Sequence, residues 1–276
     1  MRPLLAFFSL TYIASWSLWI GAGWLLGADA PPSSAIASVG ALLLLTGTFA
    51  PALLALALTA RAGGHAGTMA LLGRIARVPA EARWYVFAAT FMAAIKLTVA
   101  VSHRFLAGQW PPFGDTPWYV MIIATIVSTP VQAGEELGWR GYALPRLSAR
   151  VGLPAASVVL GVIWACWHLP LFFAPIGDNV GQSFPLYVLA VTAISVTMAW
   201  LYWRTNGSLL LTMLMHAASN NTAGIVHAAP MIGGNPFTLR PSLIAWLTAA
   251  ILWIPATYFL LRLRAAPRRP FPFLSC

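Results

Sequence analysis

The chain has 276 residues, of which 59% are hydrophobic and only 8% are charged, a composition too apolar for a water-soluble fold to bury in one core. The net charge of +10 could suggest a nucleic-acid partner, but the bases lie in short clusters between apolar runs rather than along one polar face. We therefore expect an integral membrane protein that lies in a lipid bilayer and binds no nucleic acid.

Eight apolar runs are long enough to form membrane-spanning helices. A helix needs about 20 mostly apolar residues to cross roughly 30 Å of hydrocarbon, because each residue rises about 1.5 Å. The runs cover residues 4–26, 35–60, 84–106, 118–137, 153–173, 185–203, 209–227 and 243–263. The pattern predicts an all-α, polytopic membrane protein, a bundle of about eight transmembrane helices.

The arginines fall on alternate connections between these runs. Short cytoplasmic loops retain basic residues, whereas translocated loops are poor in them. The basic connections hold Arg2; Arg61, Arg74, Arg77 and Arg83; Arg140, Arg146 and Arg150; Arg204; and Arg262, Arg264, Arg268 and Arg269. The opposite connections hold only Arg104 and Arg240, together with Asp29, Asp115 and Asp178. We expect both termini in the cytoplasm, with the protein in a bacterial inner membrane.

The chain shows no internal repeat and no separate soluble domain. We expect one helical membrane domain over residues 1–264 and a basic, proline-rich cytoplasmic tail over residues 265–276. The longest interior connection, residues 61–83, is expected to be a basic loop that contains glycines.

A few polar residues lie inside the predicted spans. Ionisable groups at membrane depth are costly, so each one is a candidate functional residue. The candidates are Lys96, Glu135, Glu136, His168, His216 and His227, with Asn220 and Asn221 as neutral companions.

The densest group is Glu135, Glu136 and Arg140, near the end of the fourth run. Glu136 and Arg140 are one helical turn apart, which predicts an ion pair between them. Glu135 projects about 100° away from Glu136 and can face a different partner. Two adjacent carboxylates suit a group that must accept and return a proton. The alternative is a salt-bridged helix end at the membrane interface.

The fifth run ends with Trp164-Ala165-Cys166-Trp167-His168, followed by Leu169 and Pro170. His168 lies one turn after Trp164 on the same helix face. Histidine is a natural partner for a carboxylate in activating water, although a lone histidine between tryptophans can also be a packing residue. Pro170 should distort or end the helix.

The seventh run contains His216 and Asn220, again one turn apart. Both side chains can donate hydrogen bonds, as stabilising a carbonyl oxyanion requires. The alternative is a hydrogen-bonded pair that joins two helices, since the small residues between them favour close packing.

Together, Glu135-Glu136-x-x-x-Arg140, Trp164-x-x-x-His168 and His216-x-x-x-Asn220 resemble, in order and spacing, the motifs of the CAAX protease and bacteriocin-processing (Abi) family of intramembrane glutamic endopeptidases. The resemblance spans residues 135–220. Trp164 departs from the phenylalanine that often begins the second motif in that family.

The resemblance implies an endopeptidase in which Glu135 and His168 activate a water molecule. It implies that His216 and Asn220 support the oxyanion, and that Glu136, paired with Arg140, orients the site. It implies no cofactor, and a lipidated or membrane-associated peptide or protein as the substrate.

Two alternatives remain open. In the first, Glu136, His168 and His216 bind zinc and Glu135 acts as the base. In the second, the protein is a non-catalytic transporter or immunity-type membrane protein, whose polar groups form a proton or ligand path. Lys96, in the third run and outside the three motifs, is the best support for that second alternative.

Overall fold

The computed structural model describes residues 2–27, 34–173, 179, 181–227, 235–239, 242–267 and 271. The regular elements in these residues are helices, which confirms the predicted all-α class. The α-helices are α1 (Arg2–Leu26), α2 (Ser34–Leu72), α3 (Ala82–Ala107), α4 (Trp118–Ser128), α5 (Ala133–Glu136), α6 (Leu144–Val151), α7 (Leu153–Trp167), α8 (Phe184–Arg204), α9 (Leu209–Thr222) and α10 (Leu243–Arg264). A π-helical segment, Leu137–Ala143, joins α5 to α6.

Five of the described helices, α1, α2, α3, α8 and α10, are long and apolar enough to cross a membrane. Helices α4, α7 and α9 are shorter, with 11, 15 and 14 residues. Each of the eight predicted runs overlaps one of these eight helices. The protein is therefore a polytopic, all-α membrane protein.

The predicted loop over residues 61–83 is wrong for its first half, because helix α2 continues to Leu72. The helix is kinked at Gly64, which has φ +58°, a backbone angle that glycine adopts without steric cost. The residues beyond the kink include several good helix formers, and Leu71 is buried in the bundle. Helix propensity and packing therefore outweigh the loop signal of the glycines.

The fourth predicted span, residues 118–137, is not one continuous helix. Helix α4 ends at Ser128, and Pro130–Gln132 form a 3₁₀ turn before α5 begins. A proline inside a helix removes a backbone donor and its ring clashes with the preceding turn. The backbone therefore changes direction just before the two glutamates.

Three glycines allow the α5 and π-helical segment to pack closely against α2. A Cβ atom on Gly134 would lie 2.8 Å from Phe49, one on Gly138 would lie 2.5 Å from Pro51, and one on Gly141 would lie 2.8 Å from Leu71. Real Cβ atoms do not come that close to other atoms. The glycines therefore bring Glu135, Glu136 and Arg140 into the interior of the bundle.

Three of the predicted basic connections meet at one end of the bundle. The backbone N–H of Leu209 donates to Arg74 O (3.0 Å), and Arg77 Nη1 donates to Asn206 O (2.5 Å). Arg74 Nη1 donates to Gly141 O (2.7 Å), which ties the α2–α3 connection to the π-helical segment. These contacts group the connections as the arginine pattern predicts.

Arg140 does not belong to this polar end, although the arginine pattern counted it there, because its side chain is fully buried. Asp29, Asp178, Arg240, Arg268 and Arg269 lie outside the described residues, as does most of the predicted tail over residues 265–276. Within that tail, Phe271 is buried against Tyr202, with ring centroids 5.2 Å apart.

Candidate active site

Glu136 and Arg140 form the ion pair that their spacing predicts. Arg140 Nη1 donates to Glu136 Oε1 at 2.9 Å, and neither side chain has any solvent exposure. Glu136 ends α5 and Arg140 lies in the π-helical segment, so both groups are held on one short stretch of backbone. A π-helical turn is often found at a functional site.

His216 joins this pair from helix α9. Its Nδ1 lies 3.0 Å from Glu136 Oε1, the same oxygen that accepts from Arg140. Because an ionised carboxylate only accepts hydrogen bonds, Nδ1 carries the hydrogen. In neutral His216, Nε2 is then an acceptor.

Glu135 has different partners from its neighbour. Its Oε2 accepts a hydrogen bond from the indole Nε1 of Trp164 at 2.7 Å, and its Oε1 lies 3.9 Å from His216 Nε2. Among the described residues, no arginine or lysine forms an ion pair with Glu135. The two adjacent carboxylates are therefore distinct: Glu136 is charge-paired, and Glu135 is hydrogen-bonded to a neutral donor.

His168 lies immediately after the end of helix α7. The helix ends at Trp167 and a 3₁₀ turn, Leu169–Phe172, follows, as Pro170 predicts. His168 Nδ1 lies 2.9 Å from the carbonyl oxygen of Trp164, so Nδ1 carries the hydrogen and Nε2 of the neutral ring can accept. The side chain is partly exposed and lies close enough to Glu135 for an electrostatic interaction.

Asn220 is the predicted residue that stands apart from the others. It is exposed, and no hydrogen bond joins it to the other five predicted residues, all of which are described. Its neighbour Asn221 donates from Nδ2 to Ser128 Oγ at 2.9 Å and to Ala217 O at 2.8 Å. Asn221 thus ties α9 to the end of α4.

Trp164 is the site residue whose contacts the sequence did not predict. Its indole donates to Glu135, its ring lies 4.1 Å from Arg140 Cζ, and its centroid is 5.1 Å from that of His216. A signal was present in the sequence, since a buried tryptophan needs a partner for its N–H, and Trp164 lies one turn from His168.

The structure also shows the residues on which the zinc and transporter alternatives depend. Among the described residues, no three His, Cys, Asp or Glu side chains form a group that could hold a metal ion. Lys96 is buried, and its Nζ donates to Val226 O at 3.4 Å. No ion pair within the described residues joins Lys96 to Glu135 or Glu136.

The fold and this cluster define a class: polytopic membrane proteins in which two buried carboxylates lie close to histidines between the helices. Residues 115–222 match the model of the type II CAAX prenyl endopeptidase, Rce1-like family, and all three motifs lie within that segment. Over this segment the chain is similar to that family, which agrees with the resemblance indicated by the three motifs.

A curated relative is CAAX prenyl protease 2 of Methanococcus maripaludis. It is 29% identical over 96 residues, which cover 31% of this chain and 34% of the relative. The chain thus matches about a third of the length of that relative.

Proposed function

We propose that the protein is an intramembrane endopeptidase that hydrolyses a peptide bond of a membrane-associated peptide or protein. The observation that carries the proposal is the contrast between the two buried glutamates. Arg140 forms an ion pair with Glu136, whereas Glu135 has Oε1 directed toward His216 and forms no ion pair with an arginine or lysine among the described residues. A carboxylate in such surroundings can take a proton from water.

In the proposed reaction, Glu135 accepts a proton from a water molecule that His168 Nε2 orients by accepting its other hydrogen. The water oxygen bonds to the carbonyl carbon of the substrate. When the tetrahedral intermediate collapses, its C–N bond breaks and Glu135 returns the proton to the departing amine nitrogen. Water is consumed and no oxidant, reductant or second substrate is needed.

His216 and Asn220 are proposed to support the oxyanion of this intermediate. Because Nδ1 of His216 donates to Glu136, the ring can donate from Nε2 only as an imidazolium. The carboxylates of Glu135 and Glu136 lie on the two sides of the ring, with Glu135 Oε1 3.9 Å from Nε2 and Glu136 Oε1 3.0 Å from Nδ1. Asn220 lies one turn further along α9 and would supply an amide donor. The Glu136–Arg140 pair would hold His216 in place.

We propose that the substrate is lipidated or amphipathic and arrives from the membrane. The name of the archaeal relative, CAAX prenyl protease 2, supports a prenylated protein as the first substrate to test. The π-helical segment contacts the arginine-rich end of the bundle through Arg74, which supports a site open to the cytoplasmic leaflet with both termini inside.

The test is cleavage by purified protein in lipid nanodiscs, with prenylated and unprenylated peptide libraries read by mass spectrometry. Glu135→Gln and His168→Ala are each expected to lower kcat by about 10²- to 10⁴-fold, the usual contribution of a general acid or base. Glu81→Gln is the matched control, since Glu81 is exposed and pairs only with exposed Arg83 in the described structure.

Equal cleavage by wild type, Glu135→Gln and His168→Ala would contradict the proposal. Proton-coupled uptake by reconstituted protein, unchanged in Glu135→Gln, would instead favour the transporter alternative. Thermal unfolding of each variant in the same nanodiscs separates lost catalysis from lost folding.

A further inference from the structure

The indole of Trp164 lies at the centre of the candidate site. It donates from Nε1 to Glu135 Oε2 at 2.7 Å, and its ring contacts Arg140 and His216. The backbone oxygen of the same residue lies 2.9 Å from His168 Nδ1. Residue 164 therefore contacts both residues that are proposed to activate the water.

The indole N–H can only donate, so it selects a carboxylate oxygen as its partner. A glutamate side chain has several rotatable bonds, and one strong hydrogen bond to one of its oxygens limits where the other can point. With Oε2 of Glu135 held by Trp164, Oε1 is the oxygen that faces His216 Nε2, 3.9 Å away.

Packing alone does not require an N–H at this position. A phenylalanine would also place an aromatic ring against Arg140 and His216, but it would leave Oε2 of buried Glu135 without this donor. Hydrogen bonds to charged acceptors are shorter and stronger than those between neutral groups, and more so in a low-dielectric interior. The 2.7 Å length is in the range of such a bond.

We propose that Trp164 is a positioning residue: its indole N–H fixes the carboxylate of Glu135 so that Oε1 takes the proton of the attacking water. The proposal rests on the proposed function of Glu135. It goes beyond that function because it assigns separate tasks to the two oxygens of Glu135, and it makes the rate depend on a hydrogen bond rather than on an aromatic ring.

The test compares wild type with Trp164→Phe on a peptide that the wild-type protein cleaves. The backbone contact to His168 is retained in this variant, so the change isolates the side chain. We expect kcat to fall roughly 10- to 100-fold, the value of one hydrogen bond to a charged group, with KM within about twofold.

A control variant removes an indole hydrogen bond elsewhere. Trp253 Nε1 donates to Leu189 O at 3.1 Å, between α10 and α8, away from the glutamates. Trp253→Phe is expected to retain the wild-type kcat.

Replacement of Trp164 by 3-benzothienylalanine keeps the ring size but substitutes sulfur for the N–H, so it tests the hydrogen bond without creating a cavity. It should lower kcat as much as Trp164→Phe does. A wild-type kcat with benzothienylalanine would show that ring volume is what matters and would overturn the proposal.

The two proposals fail in different ways. Full activity of Glu135→Gln would overturn the proposed function itself. An inactive Glu135→Gln together with a wild-type kcat in Trp164→Phe would leave the proposed function standing and overturn only the positioning role. A rise in KM with unchanged kcat in Trp164→Phe would indicate a substrate contact and would also overturn it.

Discussion

Glu135 and Glu136 are neighbours in the chain, yet their surroundings differ in charge. Oε1 of Glu136 accepts from both Arg140 and His216, so that carboxylate is bound to two donors at full burial. Glu135 is bound to the neutral indole of Trp164. A buried ion pair gives little net stability, because removing both charges from water costs about as much as their attraction returns. The Glu136–Arg140 pair is therefore better explained by the orientation of His216 than by stability.

Arg140→Met tests this explanation at the level of a single residue. The substitution leaves the charge of Glu136 buried without its arginine partner, and we expect it to destabilise the protein by about 3–5 kcal/mol. The double variant Glu136→Gln with Arg140→Met removes both charges and should regain most of the lost stability.

Cleavage is expected to stay low in the double variant, because an uncharged amide at position 136 holds the Nδ1–H of His216 less strongly than the carboxylate does. Thermal unfolding checks the expected recovery of stability, and kcat measured on the same samples checks the expected loss of cleavage. Recovery of cleavage along with stability would show that the pair serves only to stabilise the fold.

The secondary-structure elements that carry the site are short and interrupted. Pro130 ends the regular helix before the glutamates, and a π-helical segment follows them. Helix α7 ends one residue before His168. The hydrophobic pattern predicted a continuous helix over residues 118–137, because it reports which residues are apolar and not where the backbone changes its hydrogen bonding. Close contact with α2 at Gly134, Gly138 and Gly141 holds this interrupted segment in place.

Gly138→Ala tests the contact between α2 and the π-helical segment. The added Cβ would lie 2.5 Å from Pro51 Cβ and 2.7 Å from Pro51 O, and backbone cannot move aside as a flexible side chain can. We expect overpacking to destabilise the protein by about 1–3 kcal/mol and to lower kcat by displacing the glutamates.

The matched control is Gly63→Ala, in helix α2, where a Cβ would meet no atom within 4 Å. It should be neutral or slightly stabilising, because alanine favours helix over glycine by roughly 1 kcal/mol. Thermal unfolding in nanodiscs measures both variants. Equal stability of the two would argue against tight packing between α2 and the π-helical segment.

The whole molecule combines features that the sequence predicted with an arrangement that it did not. The arginine-rich connections after α2 and α8 meet at one end, through Arg74 and Arg77. The candidate site lies beside that end, between α2, α7 and α9. The arginine pattern placed Arg140 among the loop residues because Arg140 follows an apolar run. In the structure its guanidinium is buried, paired with Glu136 and in contact with the ring of Trp164.

Metal dependence is a property of the whole protein and has a direct test. We expect cleavage to persist after prolonged treatment with EDTA or 1,10-phenanthroline, since the proposed activation of water by Glu135 and His168 needs no ion. Activity that disappears on chelation and returns with added zinc would establish the alternative in which Glu136, His168 and His216 bind zinc. Elemental analysis of the purified protein provides the independent readout.

The sequence by itself determined the membrane class, the helical content and the Glu136–Arg140 pair, because span length, composition and i,i+4 spacing are local properties. The three motifs also contain every residue of the buried cluster, although they gave Trp164 no role. Only the tertiary structure decided which groups meet: Trp164 and Glu135 are 29 residues apart, and His216 and Glu136 are 80 residues apart. Such contacts depend on how closely helices approach. That distance depends on glycines, kinks and packing across the bundle. The hydrophobic periodicity of a single helix does not report it.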